Sequence, residues 1–178
     1  MKDDIIYHTP PLPNRQSIRY KGYDYRGVGY YHVTICCFEK KCRFGKVIDD
    51  KVVLNEFGQI AFDIWESLPD RFERIETDVY VIMPNHIHGI IIKKENEVRE
   101  YIDNVTKRLG DIVGAFKSIV FNECLKIYKA RNLMMGKLWQ DNYWERIIRN
   151  EDAYFEIGNY IINNPRTWSE DKLFVNGA

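Results

Sequence analysis

The sequence lacks long hydrophobic runs. A membrane-spanning helix needs roughly 20 consecutive apolar residues, whereas the longest apolar stretch here, residues 86–92, is interrupted by histidine and glycine. The first 16 residues contain acids and prolines where a signal peptide would have an apolar segment. We therefore expect no membrane segment and no secretion signal, and we predict a cytoplasmic protein.

Cysteine and net charge are also scarce. The four cysteines form neither a C-x-x-C pair nor a zinc-ligand spacing, so we expect buried free thiols. Lysine and arginine total 26, as do aspartate and glutamate, and the formal net charge is zero. Because proteins that coat nucleic acid non-specifically are usually basic, this balance argues against that class, although it is compatible with a local basic groove.

What the sequence does contain is the composition of an ordinary globular domain. Hydrophobic residues make up 45% and charged residues 29% of the 178 residues, a length that suits one domain with a substantial core. There is no internal repeat and no low-complexity tract. Prolines at positions 10, 11 and 13 indicate an extended arm. We predict an arm at residues 1–16 followed by a single domain at residues 17–178.

Hydrophobic periodicity predicts alternating strands and helices. The predicted strands cover residues 30–38, 46–54 (a hairpin turning at Asp49-Asp50), 75–83, 86–93 and 138–149. The predicted helices run from the N-cap Asn55 to Pro69, from about residue 105 to 130, and from the N-cap Asn150 to about Asn164, before Pro165. The long helix should bury Leu109, Ile112, Val113, Phe116 and Val120 on one face.

This order indicates the fold class. Without the hairpin and the last helix, the elements follow the order β-α-β-β-α-β, which is the split βαβ or ferredoxin-like arrangement. We therefore predict an α+β fold, in which helices pack on one face of an antiparallel sheet. The opposite face remains for a ligand or for the added C-terminal helix.

Two histidines lie one residue apart in the strand at residues 86–93. Since successive side chains of a strand point to opposite faces, His86 and His88 share one face and Ile87 takes the other. Two such imidazoles can bind one metal ion. They can equally be strand histidines satisfied by hydrogen bonds, and the pair alone indicates no reaction.

The last helix carries a second polar pair. Tyr160 and Asn164 are one turn apart, on the flank of the apolar stripe formed by Ile157 and Ile161. Gly158, in the middle of this helix, costs about 1 kcal/mol relative to alanine, which suggests that another backbone approaches closely there. The alternative for Tyr160 is a half-buried aromatic residue without a chemical role.

Four segments together resemble a known family. "MPNHIHGI", "WQDNYWERIIRN", "YIINNP" and the preceding "RYKGYDY" are similar to the HUH single-tyrosine transposases, and most similar to the REP-associated tyrosine transposases. The resemblance covers residues 18–168. It implies that His86 and His88 are the metal pair, that Tyr160 is the nucleophile and that Asn164 is the third metal ligand of a catalytic domain at residues 17–178.

The resemblance also implies a reaction. Members of the family cleave single-stranded DNA next to a hairpin, form a 5′-phosphotyrosine and transfer the strand to a new 3′-OH, with Mg²⁺ or Mn²⁺ and without ATP. Both monomers and homodimers occur in the family. The nitrogen ligands favour Mn²⁺ in affinity, while cellular abundance favours Mg²⁺. Because a phenol with a pKa near 10 is protonated at neutral pH, Tyr160 needs help from the ion or from a base.

Contacts to DNA are predicted at five side chains. Basic and aromatic residues alternate in the segment after the arm, a mixture that binds backbone phosphates and stacks on bases. Lys117 and Arg149 are further candidates for phosphate contacts, and each could equally be a solvated surface charge. The full set is Arg19, Lys21, Tyr23, Lys117 and Arg149.

Two other functions compete with this interpretation. His32-Val33-Thr34 is an H-x-T motif, and metal-free two-histidine phosphoesterases pair two such motifs. The second motif here would be His86-Ile87-His88, which lacks the hydroxyl. A non-catalytic single-stranded nucleic-acid-binding protein is the other alternative, but it gives no reason for Tyr160 to accompany the two histidines.

Overall fold

A computed structural model describes residues 24–25, 27–94 and 107–175. The predicted arm at residues 1–16 lies outside the described residues, as do Arg19, Lys21 and Tyr23. Within the described residues, none of the helices combines the length and the apolar content that crossing a bilayer requires. The cysteines are free thiols, as predicted; three are buried and Cys42 is partly buried.

Strands and helices alternate in the described parts of the chain. In order they are β1 (Gly29–Cys36), β2 (Gly45–Ile48), β3 (Lys51–Leu54), α1 (Glu56–Glu66), α2 (Leu68–Arg71), β4 (Ile75–Ile82), β5 (His86–Lys93), α3 (Leu109–Ala130), β6 (Trp144–Ile148) and α4 (Glu151–Asn163).

The main sheet has the order β4-β5-β1-β6, and every neighbouring pair of strands is antiparallel. Among the strands that the structure describes, β2 and β3 pair only with each other, as a separate hairpin. With that hairpin and α4 set aside, the connectivity is that of the ferredoxin-like fold. The predicted α+β fold class is confirmed.

Turn and cap residues explain several boundaries. Asp49 and Asp50 have φ values of 48° and 58°, and two consecutive positive φ values are what a two-residue hairpin turn of type I′ requires. The side chain of Asn55 accepts hydrogen bonds from the first amides of α1, as predicted. The predicted end of α1 is wrong: the helix stops at Glu66, and Pro69 lies in the first turn of α2, where no amide donor is needed.

The larger core lies between the sheet and the helices α1 and α3. The predicted apolar stripe of α3 is buried there. Trp65 of α1 is fully buried and packs edge-on against Phe116 of α3, with ring centroids 5.4 Å apart. Ile87 and Ile91 of β5 complete this side, so alternate residues of β5 face the core. The remaining residues of β5 are therefore free to face the opposite side of the sheet.

The helix that carries Tyr160 covers part of that opposite face. It packs over β4 and β5, with Ile157 and Ile161 against Ile90. Asn150 caps it by accepting a hydrogen bond of 2.8 Å from the amide of Ala153. The helix ends at Asn163, close to the predicted end, yet Asn164 retains helical angles despite Pro165 (φ −54°, ψ −39°).

Two glycines give a paired stability prediction. The close backbone approach expected at Gly158 is wrong, because a Cβ there would meet only Val79 Cγ2, at 3.9 Å. We expect Gly158→Ala to raise the free energy of unfolding by about 0.5–1 kcal/mol through helix propensity. At Gly89 the opposite is expected. A Cβ there would lie 2.3 Å from Cζ2 of Trp65, whose ring is fully buried and has no room to move. Gly89→Ala should therefore lower the free energy of unfolding by roughly 1–3 kcal/mol.

Urea denaturation followed by far-UV circular dichroism measures both changes under one condition. The glycine prediction is wrong if the two variants shift the midpoint in the same direction.

Candidate active site

The two histidines are positioned by the turn between β4 and β5. The amide of Met83 donates a 2.8 Å hydrogen bond to the carbonyl of His86, which closes the turn and starts β5. His86 and His88 then point toward α4, with ring centroids 4.5 Å apart, while Ile87 faces the core. Both imidazoles are buried, with exposed fractions of 0% and 4%. The shared face predicted from strand periodicity is confirmed.

One nitrogen of His86 is held and the other faces the site. Nδ1 lies 2.8 Å from the side-chain oxygen of Asn85. Because an amide oxygen only accepts hydrogen bonds, Nδ1 carries the proton and Nε2 presents a lone pair. That Nε2 atom is buried and has no hydrogen-bond partner among the described residues. A partner at the other ring nitrogen is the usual way in which proteins orient a metal-binding histidine.

His88 connects the strand to the tyrosine. Its Nδ1 lies 2.9 Å from the hydroxyl of Thr34 and 3.3 Å from Nε2 of His32, both on the neighbouring strand β1. Its Nε2 lies 3.1 Å from the hydroxyl oxygen of Tyr160. The tyrosine side chain is 46% exposed, so its hydroxyl lies where the buried histidines meet solvent.

Asn164 and Asp171 complete the cluster. The side-chain amide of Asn164 is fully buried and donates a 2.8 Å hydrogen bond from Nδ2 to Oδ2 of Asp171. Since only the NH₂ group can donate to a carboxylate, this bond turns the other amide atom, Oδ1, away from Asp171. Oδ1 is buried and, within the described residues, has no hydrogen-bond partner. Possible ligand atoms of His86, His88 and Asp171 all lie within 4.8 Å of one another.

Burial controls the protonation of these groups. It lowers the pKa of His86 to about 4, and it lowers the pKa of His88 to about 2, with neighbouring His86 and His32 adding to the effect. Both imidazoles are therefore neutral at neutral pH, which is the form that binds metal ions. Burial and the charge of Asp171 raise the pKa of Tyr160 to about 12, so the side chain is a phenol that needs a proton acceptor.

This donor set fits a divalent metal ion. Two buried side-chain atoms, His86 Nε2 and Asn164 Oδ1, have lone pairs that no described residue uses. An unpaired buried polar atom is costly, and a bound ion satisfies it. Imidazole nitrogen together with amide and carboxylate oxygen suits Mn²⁺ or Mg²⁺ with open positions for a substrate.

Asp171 was not among the site residues predicted from the sequence. The residue lies in the segment after α4, directly after a short 3₁₀ helix (Trp168–Glu170) and seven positions after Asn164. It carries no local signal, because its closeness to the histidines depends on how this segment folds back. The segment is held by the amide of Asn85, which donates to the carbonyl of Leu173 at 2.7 Å, and by Trp168, whose ring lies 5.8 Å from that of His86.

The structure does not bring the described DNA-contact candidates to this cluster. Lys117 lies on α3, on the other side of the sheet, and its ammonium donates to the carbonyls of Gln140 and Asp141 at 2.6 and 3.2 Å. Arg149 is exposed beside the N-cap of α4, at the end of that helix far from Tyr160. Their predicted roles stay predictions.

Comparisons with known proteins place this geometry in context. The chain is similar to an uncharacterized protein of Haemophilus influenzae, with 37% identity over 181 residues, covering 92% of this chain and 95% of that protein. It is also similar to the "Putative REP-associated tyrosine transposase" of the same organism, with 28% identity over 113 residues, covering 63% of this chain and 58% of that protein. No family model matches the chain.

A solved structure shares the fold. It is that of a REP-associated tyrosine transposase bound to a REP hairpin, with a TM-score of 0.60 and 18% sequence identity, covering 86% of this chain and 76% of that chain. At this identity the likeness concerns the arrangement of strands and helices.

Proposed function

Because this chain belongs to one family with the Haemophilus influenzae protein that it matches over nearly its whole length, and resembles the REP-associated tyrosine transposases in sequence and fold, we propose that it is a DNA transposase of the HUH single-tyrosine type. It cleaves single-stranded DNA beside a hairpin and transfers the strand. One observation carries the proposal: Tyr160 lies beside buried His86, His88 and Asn164, and two of their metal-binding atoms have no partner among the described residues. Residues 17–178 form the catalytic domain.

The reaction is two phosphoryl transfers on one tyrosine. The hydroxyl oxygen of Tyr160 attacks the scissile phosphorus, a new P–O bond forms to the tyrosine, and the bond from phosphorus to the 3′-oxygen breaks. The departing 3′-oxygen takes up a proton from water, which leaves a free 3′-OH and a 5′-phosphotyrosine. Because the phosphodiester energy is kept in the covalent bond, another 3′-OH can attack the same phosphorus and regenerate Tyr160 without a nucleotide.

Within the described parts of the chain, two possible acceptors lie near the proton of Tyr160. His88 Nε2 lies 3.1 Å and Asp171 Oδ2 lies 3.5 Å from the hydroxyl oxygen. If Nε2 of His88 served as a ligand, the carboxylate of Asp171 would be the acceptor left to Tyr160 among the described residues. Asp171 also orients Asn164. Its position therefore suits both the proton transfer and the arrangement of ligands.

His86, His88 and Asn164 would hold the ion, and the Asp171 carboxylate lies where it can join them. Bound there, Mg²⁺ or Mn²⁺ would polarise the scissile phosphate and stabilise the charge on the departing 3′-oxygen. Asn85 and Thr34 hold the second nitrogen of each histidine and so keep the ligating nitrogens aimed at the site.

One observation favours a second candidate function. His32 and Thr34, the H-x-T motif of β1, both contact His88, so the chain brings a second histidine motif to the same face. A metal-free phosphoesterase would use His32 as an acid or base and would need neither Tyr160 nor an ion. Chelation therefore separates the two candidates.

The test uses a labelled single strand that carries a palindromic hairpin from the DNA beside the gene. The protein is incubated with it in Mn²⁺ or in EDTA, and the products are run on a denaturing gel. We expect a slower, SDS-resistant band in Mn²⁺ and none in EDTA. Cleavage that persists in EDTA favours the phosphoesterase, and the absence of any product on hairpins from both flanks contradicts the proposal. The proposed function also implies a location: a protein that acts on single strands of the chromosome would be in the cytoplasm.

A further inference from the structure

One part of the sheet face beside Tyr160 is left uncovered. The helix α4 packs over β4 and β5, and on the same face it also covers Ile148 of β6 and contacts Tyr30 of β1. Farther along β6, Trp144 and Arg146 are exposed. Four side chains line this part, which we name the β1–β6 strip: His32, Thr34, Trp144 and Arg146. The two residues of β1 are partly buried, whereas both residues of β6 are exposed.

Strand register places the strip directly beside the candidate metal site. Thr34 pairs with Trp144 and His32 pairs with Arg146 across β1 and β6. Paired residues of antiparallel strands project from the same face, with Cα atoms roughly 5 Å apart. Since Thr34 and His32 both contact His88, the strip begins at the metal pair and runs to β6, the last strand of the sheet in the described parts of the chain.

The two outer side chains are available for a partner. Trp144 is 53% exposed, an unusual state for the largest apolar side chain. Arg146 has no salt bridge within the described residues, and its charge adds to burial in lowering the pKa of His32 to about 4. The acidic neighbour Glu145 alternates to the other face of β6. The strip therefore combines an exposed indole and an unpaired cation, with no acidic side chain of its own.

We propose that the β1–β6 strip binds the single-stranded DNA next to the scissile phosphate, with Trp144 stacked on a base and Arg146 on a backbone phosphate. This inference rests on the proposed function, because it assumes that the phosphate at Tyr160 belongs to DNA. An aromatic side chain and a cation side by side are the elements with which proteins hold single strands without reading their sequence. A folded duplex would not offer an unstacked base to Trp144.

The first measurement is binding of a fluorescein-labelled oligothymidylate of about 12 nucleotides, within the usual range of single-strand site sizes. It is made by anisotropy in EDTA, on the Tyr160→Phe background, so that neither cleavage nor metal contributes. Trp144→Ala should weaken binding roughly tenfold, and Trp144→Phe should retain most of the affinity because a ring remains. Arg146→Gln should lower the slope of log affinity against log salt by about 0.7, the value of one phosphate contact.

Two control variants are matched in chemistry and exposure. Phe155→Ala removes an aromatic side chain that is 62% exposed on α4 and lies off the strip. Arg71→Gln removes an exposed cation on α2, whose guanidinium donates to the hydroxyl of Ser67 four residues earlier. Both controls should bind the oligothymidylate as the parent does. Parent-like binding by both strip variants, or no binding by the parent itself, would overturn the inference.

Photocrosslinking gives a second readout that needs no strip variant. An oligothymidylate carrying 5-iododeoxyuridine is irradiated with the parent protein, and the crosslinked peptide is identified by mass spectrometry. We expect the crosslink at Trp144. A crosslink confined to other aromatic residues contradicts the inference even if Trp144→Ala fails to fold.

Failure of this inference and failure of the proposed function have different signatures. Suppose that wild type forms a metal-dependent covalent product while the strip variants bind oligothymidylate unchanged. That result contradicts only the proposed role of the β1–β6 strip. If that product is absent while binding depends on Trp144 and Arg146, the proposed transposase reaction is contradicted. The β1–β6 strip is then still a surface that binds single-stranded DNA.

Discussion

Tyr160→Phe is expected to abolish the covalent protein–DNA product and to leave hairpin binding nearly intact. The change removes only the hydroxyl oxygen that forms the bond to phosphorus, and loss of a nucleophile typically costs roughly a thousandfold or more in rate. The ring itself remains beside His88 and His32. The denaturing gel measures the covalent product, and anisotropy with the labelled hairpin measures binding.

Tyr154→Phe is the matched control for that change. It removes a hydroxyl from the same helix, where Tyr154 donates to the carboxylate of Asp78 away from the histidines. This variant should lose about 1 kcal/mol of stability from the missing hydrogen bond and still form the covalent product. If Tyr160→Phe forms the product at the wild-type rate, another residue is the nucleophile.

His86→Ala is expected to remove both the binding of Mn²⁺ and the cleavage that depends on it. His86 Nε2 is buried, has no partner among the described residues and carries the lone pair that the ion would use. Mutation of a residue that only supports a metal ligand usually lowers metal affinity 10- to 100-fold. Loss of the ligand itself should lower the affinity for Mn²⁺ by more than that. Thermal denaturation measures the binding of Mn²⁺ independently of cleavage, because an ion at 100 times its Kd stabilises the folded protein by about 2.7 kcal/mol.

Two further variants sharpen the metal prediction. Asn164→Ala should reduce the stabilisation by Mn²⁺ less than His86→Ala does, since an amide oxygen is a weaker ligand than an imidazole. His32→Gln should retain it, because His32 contacts His88 at Nδ1 and not at the nitrogen beside Tyr160. Equal stabilisation of wild type and His86→Ala by Mn²⁺ would contradict the metal site. Loss of all cleavage in His32→Gln alone would favour the phosphoesterase.

Much of the fold follows from local rules that act within a few residues. Asn55 and Asn150 are correctly predicted as N-caps, because the hydrogen bonds of a capping side chain reach only the first turn of its own helix. The hairpin at Asp49-Asp50 is correct for a similar reason, since aspartate tolerates the positive φ that the turn requires. The shared face of His86 and His88 follows from the two-residue period of a strand.

What the sequence did not reveal depends on contacts between distant segments. The end of α1 at Glu66 is an exception, because the hydrogen bonds of Ser67 are local, among them those to Asp63, Ile64 and Arg71. At Gly158 the neighbour is a side chain of β4, Val79, and not the backbone that was expected. Asp171 reaches the histidines only because the chain folds back after α4. Thr34 and His32 belong to the site through the register between β1 and β5, which places Thr34 opposite His88. The spacing of residues within β1 or within β5 does not reveal how the two strands are aligned.

Asn85 has a consequence for how the protein responds to changes at its C-terminal end. Its amide group donates to the carbonyls of Lys40 and Leu173, and its oxygen holds His86. One side chain thus ties together the turn after β1, the segment after α4 and a proposed metal ligand. Order around Leu173 and affinity for the ion are therefore thermodynamically linked. Fraying near Leu173 would loosen the imidazole of His86, and ion binding would slow hydrogen exchange in the segment around Leu173.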